Sequence, residues 1–171
     1  MKLIIYIIGL SIFCLFVGCE NKNDTKYIYN QSFEEINDWI DNPISVLDTT
    51  VSHTGFYSCK VDSAHPYSLS FHKNVNSLKA KGYSKVQIAA WIRRSRKEDE
   101  CVLVGSIETT EKALLWVGCE TPNKTLPPAI WQEYTVQFTI PDSLNENILK
   151  VYLWNKNVST THIDDISIIF Q

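Results

Sequence analysis

The side chains of this chain that are best suited to a function are aromatic residues at alternating positions, and they are suited to non-covalent binding. The 171 residues include five Trp, eight Tyr and seven Phe. Successive side chains of a strand point to opposite faces, so alternation separates buried rings from exposed ones. The exposed rings and their polar neighbours are predicted to be Tyr152, Trp154, Trp116, Trp91, Arg93 and Gln87. Flat rings offer apolar contact area while amide and guanidinium groups form hydrogen bonds, so these six are the candidate ligand-binding residues.

Motifs for covalent or hydrolytic chemistry are missing from the sequence. It contains no Gly-x-Ser-x-Gly, no His-Glu-x-x-His and no phosphate-binding loop. Acidic residues between 98 and 108 could be paired for glycoside cleavage, but any acidic loop allows such a pairing. The single basic cluster, 93–97, is followed at once by the acids of 98–100, and the net charge is −3. We therefore expect no enzymatic activity and no nucleic-acid partner.

The N-terminus has the layout of an export signal. Lys2 precedes an apolar run over 3–17, which is shorter than the roughly 20 residues needed to cross a bilayer. The run ends in Phe-Val-Gly before Cys19 and resembles a bacterial lipobox, which implies that the thiol of Cys19 is acylated. The alternative is an uncleaved membrane anchor. Several acyl chains hold a protein stably on a membrane.

The remaining cysteines suggest a hairpin. The runs 102–108 and 112–119 are predicted to pair symmetrically about residue 110, so that partner numbers sum to 220 and Cys101 faces Cys119. Such a cross-strand pair can reach bridging distance, and two reduced core thiols are the alternative. Cys59 is predicted to be a buried structural thiol.

Short runs rich in β-branched and aromatic residues, separated by Gly, Pro, Asn and Asp, must position these side chains. This pattern predicts an all-β antiparallel sandwich. Further strands are predicted over 45–50, 57–62, 68–72, 86–93, 134–140, 149–154 and 162–170. In the last strand Asp164 is in phase with Ile166 and Ile168, which predicts that it faces inward. Residues 32–40 are predicted to be a helical turn or a loop.

Several motifs in a fixed order carry a family resemblance. They are Asn30-Gln31-Ser32-Phe33-Glu34 with Trp39, His53-Thr54-Gly55-Phe56-Tyr57-Ser58-Cys59-Lys60-Val61, Trp131-Gln132-Glu133-Tyr134-Thr135-Val136, Leu149-Lys150-Val151-Tyr152-Leu153-Trp154 and His162-Ile163-Asp164-Asp165-Ile166-Ser167-Ile168. From about residue 29 to 171 the chain resembles the jelly-roll carbohydrate-binding modules of the galactose-binding-like superfamily. The resemblance implies that Trp39 and Trp131 are buried.

The same resemblance implies a structural calcium ion held by Glu34, the carbonyl of Lys60 or a neighbour, and Asp164. Calcium prefers six to eight oxygen ligands, and a buried, unpaired carboxylate would be costly. The alternative is that Asp164 accepts backbone N–H bonds or pairs with a lysine.

These observations predict a signal peptide over 1–18, a lipidated tether over 19–27 and a β-sandwich over 28–171. The expected function is non-catalytic binding of a polysaccharide or oligosaccharide at the bacterial cell envelope, on the outer membrane, with the lipid as the only membrane contact. A protein-interaction or adhesion module is the alternative, and a structural envelope lipoprotein with an envelope protein partner is another.

Overall fold

Strands in two antiparallel sheets make up most of the described chain, which in this computed structural model covers residues 26–36, 39–40, 46–120, 127–157 and 159–171. The first sheet contains β1 (Tyr27–Gln31), β3 (Leu47–Asp48), β4 (Ser58–Val61), β6 (Lys85–Arg94), β9 (Trp131–Thr139) and β11 (Thr161–Phe170). The second contains β2 (Trp39–Ile40), β5 (Ser70–Asn74), β7 (Cys101–Glu108), β8 (Ala113–Glu120) and β10 (Ile148–Asn155). The predicted all-β antiparallel sandwich is confirmed. The predicted signal peptide and Cys19 lie outside the described residues.

The strand order explains which side chains can meet. The first sheet runs β3-β4-β11-β6-β9, with β1 also paired to β11, and the second runs β2-β5-β10-β7-β8. One short helix, α1 (Val75–Lys79), links the sheets after β5 and begins at Asn74, whose side chain accepts hydrogen bonds from the first-turn amides. No described helix is long and apolar enough to span a bilayer.

The core lies between the two sheets and follows the strand alternation. Every second residue of β6 and β10 is buried, and Ile88, Val151 and Leu153 have no exposed surface. Burying each such side chain stabilises the fold by about 1.5–3 kcal/mol. Cys59 is also fully buried, and burial raises the pKa of its thiol to about 12, so the prediction of a buried structural thiol is confirmed.

The β7–β8 register differs from the predicted one. Leu103 faces Cys119 and Ser106 faces Trp116, so partner numbers sum to 222, and a register shift follows at Ile107. These strand pairs are centred on residue 111, one residue later than expected, and the Thr109 amide donates to the Lys112 carbonyl in the turn between the strands. Cys101 and Cys119 therefore do not face each other, and neither is in a disulfide. The predicted disulfide between them is wrong.

A bulge in β11 changes the face on which Asp164 lies. Asp164 pairs with Trp91, whereas Ser167 pairs with Ala89, so β11 has one extra residue between these points. Asp165 adopts a positive φ of 44° at the bulge. Asp164 therefore points to the outer face of the first sheet with Trp91, not inward with Ile166 as predicted. It is nevertheless fully buried, because another segment covers it.

Candidate functional site

The outer face of the second sheet brings three of the predicted ligand-binding rings together. Tyr152 and Trp154 lie on the outward side of β10, beside Val104 and Val102 of β7. Trp116 lies on β8, across β7 from β10, and 45% of its surface is exposed. We call this surface, formed by Tyr67, Val102, Val104, Ser106, Trp116, Tyr152 and Trp154, the aromatic face.

The floor of the aromatic face is apolar and tightly covered. Val102 and Val104 have no exposed surface although they point away from the core. Gly118 lies two residues after Trp116 on the same side of β8, and an added Cβ there would be 2.4 Å from the Trp116 ring and 2.6 Å from Val102. Because Gly118 has no side chain, the Trp116 indole packs flat against the sheet beside Val102.

Polar groups at one end of the aromatic face form a connected network. The Ser106 hydroxyl donates a 2.6 Å hydrogen bond to Glu108, and the Lys150 ammonium lies 3.2 Å from the other oxygen of that carboxylate. Burial raises the pKa of Tyr152, the negative charge of Glu108 adds to this, and hydrogen bonds with Ser106 and Trp116 oppose it. The Tyr152 hydroxyl is therefore held among these groups.

The other end of the aromatic face carries Tyr67, which the sequence reasoning missed. Its exposed fraction is 48%, its ring contacts Tyr152 edge-on at 5.8 Å, and its backbone forms an isolated bridge with Trp154. The Lys156 ammonium lies 5.8 Å from the centre of the Trp154 ring and 2.5 Å from Glu120. Tyr67 precedes β5 in a loop without alternation, so no periodic signal could have identified it.

This arrangement is suited to reversible binding of a flat ligand rich in hydroxyls. Exposed indole and phenol rings offer apolar contact area, and Ser106, Glu108 and Lys150 offer donors and acceptors next to it. Both lysines at this face are paired with a carboxylate, which limits the attraction for a charged ligand.

Trp91, Arg93 and Gln87 lie elsewhere, on the outer face of the first sheet. The ring of His53 stacks on Trp91 at 4.1 Å with an angle of 14°, so one face of this indole is covered. The Arg93 side chain donates to the Ala129 carbonyl at 3.2 Å. The structure does not bring these three residues together with Tyr152, Trp154 and Trp116, and ligand contact by them stays a prediction.

The buried Trp39 matches the prediction, while Trp131 is only half-buried. The Trp131 indole N–H donates to the Ser52 carbonyl at 3.1 Å.

The predicted calcium ligands hold a loop. One oxygen of Glu34 accepts hydrogen bonds from the amides of Phe56 and Tyr57, at 2.7 and 2.9 Å. One oxygen of Asp164 accepts from the amides of His53, at 2.8 Å, and Thr54, at 3.3 Å. Both carboxylates thus clamp residues 53–57.

This donor set does not fit a cation. The other Asp164 oxygen accepts from the Asp165 amide at 2.8 Å, so both oxygens of this carboxylate accept hydrogen bonds from backbone amides. Amide hydrogens carry partial positive charge and oppose a metal ion at the same oxygens. Among the described residues no group of three or more His, Cys, Asp or Glu side chains could hold a metal ion. Calcium binding stays a prediction, without support from these contacts.

Asp164 has an unusual titration at this loop. Burial raises its pKa to about 6, against the lowering effect of the His53 and Asp165 amides.

A cavity of about 510 Å³ lies nearby, between β1 and Asp165, and is remote from the aromatic face.

Known proteins show the same fold. The C-terminal family 22 carbohydrate binding module of Clostridium thermocellum Xyn10B is 12% identical, with a TM-score of 0.60, and the match covers 82% of this chain and 90% of that module. The CBM22-1 xylan-binding domain of Paenibacillus barcinonensis Xyn10C is 12% identical, with a TM-score of 0.54 and coverage of 83% and 92%. A further xylan-binding domain of this type is 14% identical, with a TM-score of 0.56 and coverage of 85% and 95%.

A search of curated proteins gives no match. Residues 25–160 match the family described as "Carbohydrate binding domain". This match spans most of the chain, ends just before β11 and includes all seven residues of the aromatic face. The chain belongs to the carbohydrate binding domain family.

Proposed function

We propose that this protein is a non-catalytic, lipid-anchored lipoprotein of the bacterial cell envelope that holds a polysaccharide on its aromatic face. The observation that carries the proposal is the convergence of Trp116, Tyr152 and Trp154 on the outer face of one sheet, around the apolar floor of Val102 and Val104. No covalent step is required for this function.

Ring stacking and hydrogen bonding would both contribute to the affinity for the ligand. Trp116 and Trp154 lie on β8 and β10, which flank β7, and these two strands are about 10 Å apart at a strand spacing of roughly 4.8 Å. Along β7, Trp116 is level with Ser106 and Trp154 with Val102, so the two rings also lie at different positions along the strands. Sugar units would pack on these rings, while Tyr152, Ser106 and Glu108 exchange hydrogen bonds with the ligand's hydroxyls beside Trp116. The network among these polar groups orients them before the ligand arrives, which lowers the entropic cost of binding.

Xylan is the first ligand to test. Two of the similar solved domains are described as xylan-binding, and another similar structure contains a xylanase module complexed with xylohexaose. We infer that this chain takes a neutral β-linked polysaccharide of this class. The N-terminal run and Cys19 would attach it to the membrane, with degrading enzymes supplied by other chains.

Calorimetric titration with xylohexaose and soluble xylan tests the proposal. Removing one ring by Trp154→Ala or Trp116→Ala should weaken binding about 10- to 100-fold, which corresponds to the roughly 1.4–3 kcal/mol expected for a central aromatic contact. The matched control is Phe56→Ala, because Phe56 is an aromatic side chain with 77% exposure on the loop that the first sheet holds. This control should bind like the unaltered chain.

A glycan array extends the test beyond xylan. One outcome is binding of another neutral glycan that is lost in Trp154→Ala but not in Phe56→Ala. This result would support the aromatic face as the binding site and would replace xylan as the ligand. An array without any hit, together with capture of one fixed protein partner, would instead favour the protein-interaction function.

A further inference from the structure

A group of lysines and tyrosines surrounds the point where the tether enters the sandwich. Lys26 directly precedes β1, which begins at Tyr27, and the Lys81 ammonium lies 5.7 Å from the centre of the Tyr27 ring. Tyr83 stacks on Tyr27 at 6.3 Å, and the backbone of Lys85 bonds to Gln171, next to the register partner of Tyr27. We call Lys26, Tyr27, Lys81, Tyr83 and Lys85 the basic end.

The basic end is open to solvent. Lys26, Lys81 and Lys85 are all exposed, and Tyr27 has 38% of its surface exposed. Lys79 lies close by but is paired with Asp142 at 2.6 Å, so it adds little free charge. The basic end therefore presents three cations on aromatic and aliphatic surface, a combination that suits the boundary between water and lipid headgroups.

The tether length restricts which part of the sandwich can meet a membrane. If Cys19 carries the lipid, residues 20–26 separate it from Tyr27, and seven extended residues reach at most about 25 Å. Strand β6 runs from Lys85 at the basic end to Arg94, and its ten residues span about 33 Å. The end of the sandwich at Arg94 thus lies beyond the reach of the tether, whereas the basic end is always within it.

From this juxtaposition we propose that the basic end docks on an anionic lipid surface. The inference rests on the proposed lipid anchor and adds a second, electrostatic contact to it. A lipid chain together with a group of basic residues is a pairing that holds proteins on membranes more firmly than either alone.

Docking in this way orients the aromatic face. Ile148, at the start of β10, pairs with Asn74, which precedes α1 and the loop that carries Lys81. Trp154 is near the other end of β10, away from the basic end. The membrane-bound protein would therefore hold Trp154 far from the bilayer. The aromatic face would lie roughly perpendicular to the membrane, where a long polymer can reach it.

Lysine footprinting on vesicles tests the docking. The full-length lipidated chain is reconstituted into phosphatidylcholine vesicles with or without 30% phosphatidylglycerol, treated with an amine-acetylating reagent and mapped by mass spectrometry. Acetylation of Lys81 and Lys85 should fall at least threefold in the anionic vesicles, and salt at 0.5 M should reverse this because it screens exposed charges. The internal control is Lys97, which is exposed between β6 and β7 at the opposite end and should react equally in both.

Variants separate this proposal from the anchor itself. Lys81→Glu with Lys85→Glu should abolish the lipid-dependent protection of Lys26, whereas Lys97→Glu should preserve it. Equal acetylation of Lys81 and Lys85 in both kinds of vesicle, with the chain still bound, overturns the docking and leaves the anchor intact. A chain that does not sediment with any vesicle overturns both.

Discussion

At the scale of single residues, Asp48 and His162 form a largely buried polar pair on the first sheet. The His162 ring nitrogen Nε2 lies 2.9 Å from an Asp48 oxygen, and the Thr50 amide and hydroxyl bond to the other oxygen at 2.8 and 2.7 Å. Burial alone would raise the pKa of Asp48, but the hydrogen bonds from Thr50 and the contact with His162 outweigh it and lower the pKa from 3.8 to about 2.

This pair predicts an acid-sensitive contribution to stability. The folded chain binds the Asp48 proton less readily than the unfolded chain, so the carboxylate stabilises the fold above pH 4 by about 2 kcal/mol, and this is lost as the pH falls toward 2. Urea unfolding across this range should show a flatter pH profile for Asp48→Asn, with lower stability at neutral pH. An unchanged profile in the variant would contradict the assignment.

His162 should act in a different window. Burial lowers its pKa below 6.5, so protonation of the unfolded chain costs stability as the pH drops through 6.5. The loss of stability caused by His162 begins near pH 6.5, whereas the loss caused by Asp48 begins below pH 4, so the two contributions can be measured separately.

At the scale of elements, two glycines on neighbouring strands have opposite roles. Gly118 of β8 leaves room for the Trp116 ring on the aromatic face, while Gly105 of β7 points into the core, where an added Cβ would be 2.4 Å from Phe138 and 2.8 Å from Ile88. One glycine shapes the binding surface and the other permits close packing of the sheets.

Alanine at each position should separate binding from stability. Gly118→Ala should displace the indole and weaken xylohexaose binding about tenfold, with a small effect on the free energy of unfolding. Gly105→Ala should lower that free energy by about 1–3 kcal/mol through overpacking, and should change affinity little. Calorimetry and urea unfolding of both variants make the comparison. Lost stability in Gly118→Ala together with lost affinity in Gly105→Ala would mean that the binding face and the core face of β7 and β8 are assigned wrongly.

The hairpin register makes a chemical prediction. Because Cys101 and Cys119 are offset by two residues along the β7–β8 pair, both should be alkylated when the chain is unfolded without reductant and mapped by mass spectrometry. A disulfide-linked peptide pair containing both would show that the hairpin adopts the register centred on residue 110 instead.

At the scale of the whole molecule, one core joins the two sheets. Leu153 is fully buried on the inner side of β10, and replacing it with alanine should cost about 2–5 kcal/mol. Far-UV circular dichroism and tryptophan fluorescence should report the same lowered midpoint, because Trp91 and Trp154 lie on different sheets that share this core. Lys150→Ala, on the outer side of β10, should cost less than 1 kcal/mol. Two separate transitions would indicate that the sheets unfold independently.

The sequence by itself determined the fold class, the main strands and the outward position of Tyr152, Trp154 and Trp116. Strict alternation carries this information, because a side chain's face depends only on its place within its own strand. For β10 the buried and half-buried positions alternate without interruption, so the prediction holds along the whole strand.

Only the tertiary structure decided what depends on partners distant in the chain. Trp91 points outward as predicted, yet His53 covers it, and Asp164 changed faces because a bulge inserts one residue into β11. Tyr67 reached the aromatic face through a bridge to Trp154, 87 positions later in the chain. Coverage, register and bulges arise from contacts between strands, and local periodicity contains no information about them.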